Sequence, residues 1–174
     1  MTTKLKDLEY LNSLKKYLIP IHLVFFISLI LGLIVAVLYP ERSTNLIDKF
    51  KEIFGWITVL DPYERMLAIF ENNAVNCLLA IILGIGFGIV PLFIVAINGF
   101  FLGIVILVFS QQTSVTFALA AIIPHGIIEL PMILLSASIG MKLGNEVYMY
   151  FKGIFIAAVI ESYVTPKIAL LFYQ

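Results

Sequence analysis

The sequence predicts an all-α fold, a polytopic helical membrane bundle of about five transmembrane helices with one short extracytoplasmic amphipathic helix. Three observations carry that prediction. Of 174 residues, 61% are hydrophobic and 13% charged, where a soluble domain carries about 25% charged residues, and the mean hydropathy is +1.07. The apolar residues come in unbroken runs near the roughly 20 residues a helix needs to cross a bilayer. Those runs show no apolar/polar alternation, which excludes the strands of an outer-membrane barrel. Residues 1–174 read as a single membrane domain.

Residues 1–18 form a cytoplasmic N-terminal segment marked by Lys4, Lys6, Lys15 and Lys16, because basic residues beside a span favour the cytoplasmic side. The first span, residues 19–39, is too long for a signal-peptide core of about 7–15 apolar residues, so it reads as a retained helix. Residues 40–71 follow outside as an amphipathic segment. There Leu46, Ile47, Phe50, Ile53, Phe54 and Ile57 recur at helical spacing opposite Asp48, Lys49, Lys51 and Glu52, the pattern of an interfacial helix with Trp56 at headgroup depth. Asp61-Pro62 reads as an N-cap with proline at the first helical position, opening a short helix over 63–70 that leads into the second span.

Between Glu71 and His125 there is no acidic or basic residue, enough apolar chain for two crossings. The cluster Gly84, Gly86, Gly88 and Pro91 predicts a tight turn or broken helix between them. Gln111 to Ser114 closes the third span, residues 115–140 make a fourth and residues 153–172 a fifth. This order places Pro91 and residues 141–152 inside, with Lys142 and Lys152 in agreement, and Gln174 outside. The expected location is the cell membrane, multi-pass, with a cytoplasmic N-terminus.

Lys+Arg and Asp+Glu number 11 each, so no electrostatic footprint for nucleic acid exists. The single cysteine, Cys77, excludes an internal disulfide and reads as packing in an apolar run. Gly84 and Gly88, Gly99 and Gly103, and Gly140 and Gly144 with Ser136 follow small-xxx-small spacing, which lets helix backbones meet where lipid supplies no hydrophobic drive. Gly84-x-Gly86 lacks a preceding strand, the third glycine and a Walker lysine, so it is not a nucleotide loop.

Candidate chemistry lies in the last two spans. His125 and Glu129 stand at i and i+4, on one face of a helix at about mid-depth, and Glu161 lies inside the fifth span. An ionised carboxylate at that depth costs at least about 2.5–3.5 kcal/mol, so each glutamate must pair, protonate or face water. Pro124 and Pro131 break the hydrogen-bond ladder, freeing the carbonyls of Ala120 and Ile127 beside them. Asn98, Asn72 and Asn73 complete a candidate intramembrane polar site, with Asn76 nearby. His22 reads as a boundary residue.

Glu71-Asn72-Asn73, Asn98-Gly99-Phe100-Phe101-Leu102-Gly103, Pro124-His125-Gly126-Ile127-Ile128-Glu129-Leu130-Pro131 and Glu161-Ser162-Tyr163-Val164-Thr165-Pro166 together resemble the stage II sporulation protein M family, over residues 15–170. The resemblance implies an integral membrane scaffold; bacterial members act with a peptidoglycan amidase and a lytic transglycosylase in engulfment, and relatives occur in organisms that do not sporulate, archaea included. The leading expectation is therefore a scaffold or membrane-remodelling component, more a structural protein than an enzyme. Its expected partners are the bilayer, a second copy and a membrane or cell-envelope protein. One alternative is an intramembrane hydrolase or metal protein using His125, Glu129 and Glu161. These could hold a divalent metal, but they lack the zinc-protease His-Glu-x-x-His, and no cofactor is otherwise expected. The other alternative is a proton- or cation-coupled transporter, to which broken helices and midplane carboxylates point.

Overall fold

The computed structural model describes residues 2–86 and 88–171. Its helices are α1 (Thr2–Leu38), α2 (Pro40–Phe54), α3 (Pro62–Ile82), α4 (Ile89–Gln112), α5 (Val115–Tyr163) and α6 (Thr165–Leu171). Short 3-10 turns at Gly55–Val59 and Leu83–Ile85 join α2 to α3 and close α3. Among the described residues there is no strand, and four helices are long and apolar enough to cross a membrane.

Local sequence explains where the helices start and stop. Pro40 and Pro62 open α2 and α3, at positions whose N–H has no intrahelical acceptor to lose. Asp61 caps α3 by accepting from the Tyr63 and Glu64 amides at 2.8 and 3.0 Å. The short helix predicted over 63–70 is not separate. It is the first part of α3, since nothing between Phe70 and Ile82 interrupts the backbone ladder. The predicted turn falls at 83–88, where Gly88 has φ +74°, a left-handed conformation that glycine adopts without a Cβ penalty. Pro91 then sits in the first turn of α4, where a missing N–H is harmless.

The second departure is larger. Residues 141–152, predicted as an inside loop between the fourth and fifth spans, are helical, so that one 49-residue helix, α5, carries both apolar runs. At about 1.5 Å per residue it is about 73 Å long. The stretch contains no proline, and its one glycine, Gly144, is buried against the bundle. A helix propagates through such a sequence once nucleated on either side.

α4 is the central helix. It lies tightly on α1, which presents the backbone at Phe25, Leu29 and Leu33 to Gly99 and Gly103, while Gly32 meets the backbone of Phe100 in return. α5 packs on both α4 and α1, and α3 packs on α5. Gly84 and Gly140 meet backbone to backbone at the end of α3. Ile21, Phe25, Ala80, Val95, Leu134 and Ala137, drawn from all four long helices, make the main core. A second cluster, Ala36, Ile47, Ile104 and Val108, pins α2 against α1 and α4, and the rings of Phe50 and Phe101 meet at 4.7 Å beside it. At the N-terminal end Lys142 donates to Ser13 Oγ at 2.8 Å and lies 4.2 Å from the centre of the Tyr10 ring, tying α1 to α5.

Candidate intramembrane groove

α3 and α4 make few direct contacts, and a groove lies between them that residues of α2 and α5 also line. Its volume is about 890 Å³. Phe50 and Phe54 of α2 and Ile57 roof it, and Phe101, Leu102 and Leu130 form apolar walls. Asn72, Asn73 and Asn76 of α3, Asn98 of α4 and Glu129 of α5 also line it. A second groove of about 650 Å³ runs between α3 and α5 alone, and Asn73 and Glu129 belong to both.

Depth follows from residue counts. Measured from the Gly84–Gly140 contact, Asn73 and Glu129 each lie 11 residues along their helices, and Asn98 lies 10 residues from Gly88. At 1.5 Å per residue these are about 15–17 Å. The polar residues of three helices thus share one level because the glycine contact fixes the register of the helices that carry them.

Hydrogen bonding divides the set. The Asn98 amide nitrogen donates to the Ile94 carbonyl at 2.7 Å, one turn back on its own helix, which leaves its carbonyl oxygen to the groove. Among the described residues, Asn72, Asn73, Asn76 and Glu129 make no side-chain hydrogen bond or ion pair. Asn72 is exposed and Asn73, Asn76 and Glu129 are half-buried, and in lipid an unsatisfied polar group of this kind costs several kcal/mol. His22, the other histidine, instead bonds the Leu18 carbonyl at 2.7 Å, half-buried on α1.

The predicted site is only partly assembled. The structure brings Asn72, Asn73, Asn98 and Glu129 together and adds Asn76. The side chains of Pro124 and His125 lie outside the described residues. Both prolines fall within α5 without breaking it, although Pro131 has no N–H to offer the Ile127 carbonyl. Glu161 is exposed, 32 residues beyond Glu129 on the same helix, about 48 Å along its path. Of the predicted packing glycines, Gly84, Gly88, Gly99, Gly103 and Gly140 all face another helix, and Gly144 is buried. Gly32 was not among the predicted packing glycines, although it lies in a Ser28-xxx-Gly32-xxx-Ala36 run of small residues that could have announced its contact. Among the described residues, no three of His, Cys, Asp and Glu come together as a metal set.

The chain matches the family model described as Stage II sporulation protein M over residues 21–166. It is also similar to an uncharacterized protein of Methanocaldococcus jannaschii, 30% identical over 192 aligned residues that take in 92% of this chain and 86% of the relative. No solved structure matches. The chain belongs to the stage II sporulation protein M family.

Proposed function

We propose that this member of the stage II sporulation protein M family is a membrane scaffold whose groove between α3 and α4 receives a polar membrane or cell-envelope partner at mid-depth. One observation carries the reading: three asparagines and a glutamate without partners among the described residues line one laterally open groove. Close glycine-mediated packing holds the walls rigid, as a site that must present polar groups in lipid requires. Amide and carboxylate groups suit a transmembrane helix bearing its own hydroxyl or amide side chains, since polar residues bond across helices at about 0.6 kcal/mol apiece on average.

The test is affinity purification from native membranes of the wild-type chain and of Asn73→Leu/Asn76→Leu. A membrane or envelope protein should co-purify in fixed ratio with the wild type and be lost from the variant, while both melt within about 4 °C of each other. Equal capture by the two would refute the reading.

A further inference from the structure

α5 is more than twice as long as a bilayer core is thick. The bundle uses it only as far as about Gly144; from 148 to 168 every residue is exposed. Within that projecting part, residues 153–171 form 19 residues of almost wholly apolar chain, interrupted by Glu161 and Lys167, about 28 Å as a helix. Ile154, Phe155, Ile156, Val159 and Ile160 are all exposed and cover about two-thirds of the helix circumference, with Ala157 and Glu161 in the remainder. A helix apolar on all sides belongs in lipid or a core, whereas an interfacial helix keeps a strongly polar face. Just before it, Lys142, Asn145, Glu146 and Lys152 separate the two apolar halves of α5, and Gly153 has nothing within 4 Å of where a Cβ would stand.

Beside α5 runs the second groove, bounded by Arg65, Ile69, Asn73, Cys77, Glu129 and Met132. Along α3 it extends from Pro62 to Cys77, 15 residues or about 22 Å. We propose that in a bilayer residues 153–171 of the same chain turn back through a break within 142–152 and dock in this groove as a fifth span. The connection is short, so an antiparallel return lies against α5 and its neighbour α3, and that is where the groove is. Depths agree. Glu161 would stand eight residues, about 12 Å, into the membrane from Gly153, level with Cys77 at seven residues from Gly84 and within one helical turn of Asn73. The Asn73 amide then donates to the Glu161 carboxyl, giving two otherwise isolated polar groups a partner at the depth where each most needs one. The docking shares Asn73 and Glu129 with the groove between α3 and α4, leaves Asn72, Asn76 and Asn98 to the partner-binding reading, and is tested below without reference to any partner.

The native Cys77 supplies the probe. Cysteine is placed singly at Val159, Ile160, Glu161 and Ser162, a full turn so that no face is assumed. The full-length protein is reconstituted in phosphatidylethanolamine–phosphatidylglycerol vesicles and oxidised with copper phenanthroline. We expect at least one of the four to form a disulfide with Cys77 in most molecules, at monomer mass, with both thiols lost to maleimide and none lost in a Cys77→Ser background. Substitutions at Val159, Ile160 and Ser162 leave the Asn73–Glu161 bond in place, and a melt of each variant before oxidation checks that folding tolerates the change. A disulfide-linked dimer would give the groove to a second copy, and absence of any Cys77 disulfide at all four positions would leave it unfilled by this segment; either result overturns the proposal.

Discussion

Replacing Gly103 by alanine tests the helix pair on which the bundle is built. Gly103 lies inside α4 in ordinary helical conformation, so alanine strains no backbone angle and by propensity alone would stabilise the helix by about 1 kcal/mol. The added methyl, however, would stand 2.8 Å from the Leu33 amide nitrogen and closer still to the Leu29 carbonyl oxygen. Both are backbone atoms of α1 and cannot swing aside, so the helices must separate along a contact that also includes Gly99 and Gly32. Overpacking of this kind costs about 3 kcal/mol at the upper end of its usual range. The net is a loss of about 2 kcal/mol, or about 4–8 °C in melting midpoint for a chain of this size. Circular dichroism melts in detergent measure it, with Gly153→Ala, which meets nothing within 4 Å, as the control that should not fall. A Gly103→Ala midpoint equal to or above wild type would refute the α1–α4 contact.

Gly88→Ala should be worse than its helical propensity suggests, because φ is +74° and a Cβ would stand 3.2 Å from Met141. The left-handed conformation alone costs about 1–2 kcal/mol, and a melt that does not fall by a few degrees would count against the turn. Lys142→Met keeps the stem but removes the bond to Ser13 and the contact with the Tyr10 ring, which should cost about 1 kcal/mol; unchanged stability would mean that α1 and α5 are not tied there. In intact cells carrying Cys77→Ser, cysteines at Lys15 and Arg42 should be labelled from opposite sides, and labelling from the same side would contradict the crossing by α1.

The apolar runs, the amphipathic α2, the Asp61-Pro62 start of α3 and the glycine faces of α4 were all legible in the sequence, because each rests on periodicity or on a local backbone requirement. Continuity was not. Residues 141–152 carry charges and a glycine, which mark a membrane boundary but do not stop a helix. Residues 63–82 likewise combine a polar start with an apolar remainder in one helix. The candidate site was legible as a set of polar residues but not as a geometry. Asn72, Asn73 and Asn76 differ little in the sequence, and only the register set by Gly84 against Gly140 brings α3 level with Glu129. Lys142 and Ser13, 129 residues apart, form a pair that no local pattern announces.

The account turns on whether the polar lining of the groove acts or merely holds the helices in register. Glu129→Leu and Glu129→Gln together separate the two, since leucine removes the group a polar partner would bond while glutamine keeps its shape and hydrogen-bonding capacity. The measurement is the native host's phenotype with each variant at the chromosomal locus, beside wild type and deletion, with protein level and melting midpoint followed in parallel. The expected result is that both variants accumulate and melt normally, Glu129→Leu with the phenotype of the deletion and Glu129→Gln close to wild type; a Glu129→Leu host indistinguishable from wild type would contradict the partner-binding groove.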